Sequence, residues 1–561
     1  MIVKTEWIWG FLICLAISSC SRRSNEVSFM AVDPYTKVFP ENTAFCPVTD
    51  TVEIAAGEHA IYQFAVHSPF EMREVNLSSN RLKNEVGDEI CNISVKFVGY
   101  VGVGTPADQR PHDALNSTTG LYPDPLLGET CLDIPCGQTT PVWVTVTTNK
   151  DTKPGLYKSV IQMRGKVHGK SFVREQPILL RVYPVILDEP SFWSQNWYAD
   201  DKLKVFCNNR EEKCYSDAYW QMLKSLAVKM KEVYQNVAIV NALDHVVFAQ
   251  EGKKYSFDFT RYDQVLDIFI EAGIDKMIVG NHFCDRASNI WTSDYALYVP
   301  EMKEGKMVKN LYSLQDEKTQ NFYKQFIPAL MTHLKEKGLK GKYYQHIADE
   351  PIDENSQSYI AIAKFIKSLA PGLKVIDACQ SAKLSEVIDI WIPIITAYQN
   401  NYEFFRERQK KGNEVWFYTC CFPRGEYVNR MIEWPLVKTR LIYWIAFNYG
   451  ATGYLHWGFN YWTDDPYKET TLVDSYGTTL PAGDCFIVYP DYNGGLNGSI
   501  RLEAIRQGIE DYTLLKMLEK KNANLVHDLS KTVIKDWNIY NTDVNYLKRV
   551  RHTVLEELSK K

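Results

Sequence analysis

The chain has no CxxC pair and no HExxH, so nothing in its spacing marks a zinc site. No metal or cofactor is expected. It has no block of lysine and arginine: acids and bases are mixed throughout, and the net charge is −5. That excludes a basic nucleic-acid footprint. It has no internal repeat and no low-complexity segment. It also lacks a hydrophobic run long enough to span a bilayer; the apolar stretch Ile8–Ile17 is too short. Thirteen cysteines are present. Setting aside Cys14 and Cys20 near the start leaves an odd number, which argues against a complete disulfide framework. Cys131/Cys136 and Cys207/Cys214 are the nearest candidates for bridges.

With 45% hydrophobic and 23% charged residues the chain is globular, and 561 residues exceed one ordinary core. The start, "MIVKTEWIWGFLICLAISSC", resembles a bacterial lipoprotein signal, with "AISSC" as a loose lipobox. The expectation is a signal over 1–20, a lipid on Cys20 as membrane anchor, and a place in the bacterial cell envelope, periplasmic or at the cell surface. An ordinary signal peptide is the alternative.

From 25 to 187, short alternating runs such as "VWVTVT" are broken by Gly, Pro and Asn. This grammar predicts an antiparallel β-sandwich. After "LDEP" the pattern changes. Apolar runs at 192–198, 236–240, 276–283, 342–348, 373–379, 387–395, 414–422 and 453–459 alternate with amphipathic stretches. Eight alternations over 190–520 predict a (β/α)8 barrel of TIM type, with a doubly wound open sheet as the alternative. "GSIRLEAIRQGIEDYTLLKMLEKK" places Leu502, Ile505, Ile509 and Tyr512 on one helical face and reads as the eighth helix. Residues 521–561 read as further helices packed on the barrel.

In such a barrel the strand ends carry the chemistry. Gln195, Asn196 and Trp197 stand at the first, Asn281 and His282 at the third, and His346, Asp349 and Glu350 at the fourth. Tyr398 follows the sixth, Trp416 and Tyr418 lie on the seventh, and His456, Trp457, Asn460 and Trp462 follow the eighth. Carboxylates, amides and aromatic faces on one rim suit a glycan-cleaving pocket. The stretch "YYQHIADEP" is the most pointed. Two carboxylates are the usual equipment of glycoside hydrolysis, but adjacent residues of a strand point to opposite faces. They share a pocket only if the strand ends there, as Pro351 suggests. Neighbours are a poor fit to an acid and a nucleophile about 5 Å apart across one bond. They suit an acid beside a group that holds a substrate nucleophile, such as the carbonyl of a 2-acetamido sugar. A rival reading makes "DEP" the first turn of the next helix.

"YYQHIADEP", "GYLHWGFNYW" and "GSIRLEAIRQGIEDYTLLKML" together resemble glycoside hydrolase family 123, over roughly residues 30–520. The third motif is shared with a broader set of uncharacterised barrel proteins. The resemblance implies a β-sandwich before a (β/α)8 barrel and an exo-acting, retaining β-N-acetylgalactosaminidase working on glycans or glycolipids. It implies that Asp349 orients the acetamido group and that Glu350 is the acid, then the base. Tyr398, Trp457, Trp462, His346, Asn281, His282 and Tyr418 are the expected substrate contacts, from strand-end position. The competing functions are a family 20-like β-N-acetylhexosaminidase and a lipid-anchored glycan-binding protein without turnover.

Overall fold

A computed structural model describes residues 26–115, 119–203, 215–304, 306–491 and 494–560. The leader with Cys20 and the Cys207/Cys214 pair lie outside the described residues.

Strands between Ser28 and Ile186 form two facing sheets. Five strands make the first, in the order Ser28–Val32, His59–His67, Thr139–Thr147, Ile93–Val103, Gly120–Leu126. The second is built on the long hairpin Gly155–Val167 and Lys170–Ile186. His168 and Gly169 turn it, both at positive φ, which matches the right-handed twist of the flanking strands. Inward residues Phe64, Val142, Val144, Tyr157, Ile161 and Leu180 fill the space between the sheets. The period-two pattern of the sequence is therefore the inside–outside alternation of this sandwich. Cys131 and Cys136 are not bridged. Cys131 pairs in a ladder with Asn76, and the Cys136 thiol donates to Pro69 O at 2.9 Å.

Beyond the sandwich, parallel strands follow one another in sequence order. Val237–Val240, Met277–Gly280, Tyr343–Gln345, Lys374–Cys379, Ile390–Pro393 and Glu414–Val415 form one sheet. The seventh segment continues as Phe417–Tyr418, which pairs with Gly453–His456, which pairs with Trp193–Asn196. Sequential order separates this from a doubly wound sheet, where the order reverses. Helices follow most strands, and the stretches Asp217–Lys231, Thr260–Glu271 and Glu317–Glu336 form where amphipathic periodicity places them. A single 3-10 turn, Ala382–Leu384, separates the fifth strand from the sixth. The expected barrel appears in part: no ladder joins the first strand to the second among the described residues. Amide side chains fill that seam. Ser194 N donates to Asn236 Oδ1 at 3.1 Å, and Asn196 N donates to Gln235 Oε1 at 3.1 Å. Alternate residues Met277, Val279, Ile376, Ala378, Ile390, Ile392, Trp416 and Tyr418 make a cluster of their own inside the strands. Trp416 and Tyr418 are two apart and so share that face.

The helix Ile500–Lys521 is buried on all sides over its first 16 residues, Ile500–Leu515, not on one face. It runs between the sandwich and the parallel strands, and its charges are matched. Arg501 forms a two-pronged pair with Asp124 of the sandwich at 2.9 and 2.7 Å, both side chains fully buried. Glu510 meets His59 Nδ1 at 2.6 Å, and Asp511 takes Arg440 at 2.6 Å together with Arg551. At Gly508 a Cβ would sit 2.2 Å from the Tyr443 ring, so only glycine lets the helix Val437–Tyr449 come this close. The last helix, Val544–Ser559, does not pack only on the parallel-strand unit. It also grips the sandwich through Arg551–Glu58 at 2.9 Å and Lys548–Asp33 at 2.7 Å. No helix among the described residues is long and apolar enough to cross a membrane.

Removing one partner of a buried pair leaves the other charge uncompensated, at a cost of roughly 3–5 kcal/mol. Arg501→Ala is expected to destabilise by about that much in urea unfolding. The double change Asp124→Leu with Arg501→Met is expected to recover only part of it: the uncompensated charge is gone, but Tyr489 OH loses its acceptor and the carbonyls of Arg430, Gly483 and Phe486 lose their donor.

Candidate active site

The fourth strand stops at Gln345, and the chain bends over 348–350. Three contacts set the bend. Asp377, on the fifth strand, accepts Ile347 N at 2.9 Å. Tyr295 OH donates to Asp349 O at 2.7 Å, and the Arg286 guanidinium donates to Glu350 O at 3.2 Å. Glu350 itself has φ +45°, the left-handed region, where a residue without glycine's freedom is held only by its surroundings. That turn breaks the strand's alternation and brings both carboxylates to one cavity. The next helix begins at Ser356 with Asn355 before it, so "DEP" is not its first turn.

The cavity is about 580 Å³. Asp349 and Glu350 line it beside Gln380 and Tyr418, which are hydrogen-bonded to one another and to Glu350; Trp197 and Trp457 also line it. Trp291, from an insertion after the third strand, and Tyr476, from a turn after the eighth, meet edge-on across it with ring centres 5.6 Å apart. Cys420 and Cys421, after the end of the seventh strand, also line it, as does Asp474 beside Tyr476.

Burial, then the neighbouring Glu350 charge, pushes the Asp349 carboxyl well above the usual range, against the pull of Arg286. Burial likewise raises Glu350, while hydrogen bonds from Tyr418 and Gln380 and the Arg286 charge lower it. The pair therefore keeps one proton further toward neutral pH than two solvated carboxyls would, and it titrates as a unit. Tyr418 OH donates directly to Glu350 Oε1. Tyr418→Phe removes a bond that favours the charged form. The alkaline limb of the pH–rate profile is then expected to move to higher pH, with kcat lower by about tenfold at its optimum. A profile superimposable on the parent's would refute that coupling.

Behind the pair lies a buried polar set. His346 Nδ1 meets Asp377 Oδ1 at 2.8 Å, Tyr359 OH donates to Asp377, and His282 Nε2 lies 3.7 Å from the same carboxylate. Burial lowers both imidazoles to about 3 and raises Asp377 to about 7. His282, His346 and Asp377 put three potential metal-ligand atoms within 4.8 Å of one another, as do His112, Asp113 and Glu426 near the surface. In the first set the Asp377 oxygens already accept bonds from Ile347 N and Tyr359 OH and meet His346 Nδ1.

Of the residues expected at the rim, Asp349, Glu350, Tyr418 and Trp457 line the cavity. His346 and His282 lie beneath it, with ring centres 5.4 and 5.2 Å from Trp197. Asn281 lines a neighbouring cavity instead. Tyr398 and Trp462 do not reach the cavity. The sixth strand ends at Pro393, and Tyr398, on the helix Ile395–Asn400, is buried against Trp537 and donates to Tyr449 O at 3.0 Å. Trp462 is fully buried and donates to Val488 O at 2.8 Å. Sequence reasoning missed Arg286, at the end of the short strand Cys284–Arg286 in the insertion after the third strand, Trp291 and Tyr476, in loops, and Gln380, one residue beyond the fifth strand. It also missed Asp484, whose carboxylate accepts the Trp457 indole N–H at 3.2 and 3.3 Å. Only the strand-end rule applied to "DACQ" would have pointed to Gln380.

The sequence profile of the glycoside hydrolase 123 catalytic domain matches residues 206–518, more than half of the chain. The chain belongs to glycoside hydrolase family 123. The profile of that family's N-terminal domain matches residues 35–165, within the sandwich. A family 123 glycoside hydrolase from Clostridium perfringens, whose structure addresses glycolipid glycan hydrolysis, superposes with TM-score 0.73 at 16% identity, covering 95% of this chain and 97% of that one. An endo-β-1,4-mannanase from Thermotoga petrophila gives TM-score 0.33 at 14% identity, over 58% and 77% of the two chains. No curated protein matches the chain significantly. As a family 123 member it is a glycoside hydrolase, and the cavity holding Asp349 and Glu350 is its candidate centre.

Proposed function

We propose that this family 123 hydrolase is an exo-acting β-N-acetylgalactosaminidase that releases terminal β-linked N-acetylgalactosamine from glycans or glycolipids. The observation that carries the proposal is the left-handed Glu350, which puts two adjacent carboxylates into one cavity. Neighbours in the chain are a poor fit to an acid and a protein nucleophile flanking one bond, which favours a nucleophile supplied by the substrate. The acetamido N–H donates to Asp349 and favours its charged form, leaving the shared proton on Glu350. Glu350 gives that proton to the leaving oxygen as the acetamido carbonyl closes on C1. An oxazolinium forms, positive charge falls beside Asp349, and Glu350 then takes a proton from the water that opens the ring. Two inversions at C1 give net retention. The parallel strands around the cavity act as a (β/α)8 barrel whose seam is closed by Asn236 and Gln235.

The test is release of 4-nitrophenol from the β-N-acetylgalactosaminide and from its 4-epimer. Faster turnover of the first supports the reading. Preference for the epimer makes the enzyme family 20-like in specificity, and tight sugar binding without turnover makes it a glycan-binding protein. We further propose that Cys20 carries a lipid that anchors the chain in the bacterial envelope, as "AISSC" suggests; incorporation of a labelled fatty acid that is lost in Cys20→Ala tests this.

A further inference from the structure

Three loops stand where the catalytic cavity opens to solvent: the insertion after the third strand, the segment after the seventh, and the turn between Leu472–Val473 and Thr479–Leu480. Their tips are apolar. Ile290 is 62% exposed, Val473 67%, Phe422 44% and Tyr476 45%. We propose that these tips dock on a lipid surface, so that the cavity opens onto the membrane from which the sugars of a glycolipid rise. The proposal rests on the glycosidase reading above.

The first argument is what substrate binding leaves over. Trp291, Phe422 and Tyr476 line the cavity, so contact with substrate accounts for them. Ile290 and Val473 do not line it, yet they are the more exposed. Each is the chain neighbour of a lining residue, Trp291 or Asp474. Single apolar side chains in water need no account. Apolar tips gathered from separate loops to one place mark a surface that something covers.

The aromatic tips are held at the rim. The buried Arg286 guanidinium lies 3.6 Å over the Trp291 ring, and the nearly buried Arg424 lies 4.8 Å over Phe422. A guanidinium against each ring keeps it from folding back into the core. Trp291 in turn meets Tyr476 edge-on. Indole and phenol rings suit the headgroup layer, where one end of the side chain is apolar and the other wet. Ile290 and Val473, which carry no polar group, suit the layer beneath.

The occupant follows from where the tips stand. They stand around the opening through which substrate must pass. A second copy of the chain, or another protein, seated on all of them would close it. A lipid surface covers the same side chains and supplies the substrate through the opening. Charge sets the kind of surface. Arg286 and Arg424 are the only cations on these loops, and both are committed: Arg286 donates to Trp291 O and Glu350 O, and Arg424 pairs with Asp108. No free cation is left to seek anionic headgroups, so the contact is apolar and fits a zwitterionic surface. The lipid proposed on Cys20 would keep such a surface near, since Glu26 is six residues further on, at most about 20 Å of chain.

The experiment uses the full chain with Cys20→Ala, so that no attached lipid holds it to a vesicle. It compares kcat/KM for a glycolipid with terminal β-linked N-acetylgalactosamine, carried in phosphatidylcholine vesicles, with kcat/KM for the same glycan free in solution. Adding Ile290→Ser and Val473→Ser together is expected to lower the vesicle-to-solution ratio about tenfold, the worth of two exposed apolar side chains taken from water. The free-glycan rate is expected to stay unchanged, since neither residue lines the cavity. The ratio is expected to hold at high salt, because no ion pair carries the contact. An unchanged ratio in the double variant overturns the proposal, and so does a ratio that collapses with salt. Self-association that the double variant loses would make the tips an interface between copies and overturns it as well. If the chain cleaves neither substrate, the functional reading has failed and docking is judged alone. Vesicles of brominated phosphatidylcholine should then quench a component of the tryptophan emission that is missing in Trp291→Phe. Absence of that component overturns the docking itself.

Discussion

Glu350→Gln is expected to lower kcat on a natural glycan by about 10³-fold, at the upper end of what a single positioned acid supplies. Glutamine matches the shape of the side chain and still receives Tyr418, so folding is preserved. What it cannot do is give a proton to the leaving oxygen. The loss should therefore depend on the leaving group. A glycoside whose aryloxide leaves unaided should regain one to two orders of magnitude in kcat/KM, because its departure needs no acid. The alkaline limb of the pH profile should vanish in the variant, since that limb reports loss of the shared proton. An equal loss on every leaving group would remove Glu350 from the role of acid.

The second large effect is at Asp349. Asp349→Asn keeps the hydrogen-bonding outline but loses the negative charge that faces the closing acetamido ring. Loss of one preorganised electrostatic contact to a developing charge costs about 10²–10³ in kcat. The parent should strongly prefer a 2-acetamido sugar to its 2-hydroxy counterpart, and this preference should collapse in the variant. An Asp349→Asn enzyme that retained the full preference would show that the acetamido group is handled elsewhere. Because Asp349 and Glu350 titrate together, the substitution should also shift the remaining pH limb to lower values: the Glu350 carboxyl then loses the like charge beside it.

Much of this centre was legible in the chain before folding. The run "YYQHIA" stops at a proline, and two acids stand at the stop; that much needed only the rule that a strand alternates. The pattern also placed the eight strand segments within a few residues. What it could not supply was direction. Tyr398 follows a strand as Tyr418 sits on one, yet the first lies on a helix that buries it against Trp537 and the second bonds to Glu350. Trp462 reads like Trp457, but five residues on the chain has already dived beneath the rim. Arg286, Trp291 and Tyr476 arrive from excursions whose spatial return no periodicity encodes. The barrel seam was equally invisible, because Gln235 and Asn236 look like a turn and act as a surrogate ladder.

The buried pairing of Asp124 with Arg501 has a meaning for how such a protein can be rearranged. The two residues are 377 positions apart, and both are fully buried where the sandwich meets the catalytic part. A sandwich cut free would leave Asp124 without its counter-charge, and a catalytic half cut free would leave Arg501 with carbonyl acceptors but no carboxylate. Neither piece can be swapped onto a new neighbour without rewriting the helix that joins them. The sandwich is thus bound by inheritance to this one catalytic partner, and recombination that shuffles free-standing sugar-binding modules among enzymes has no clean joint here to use.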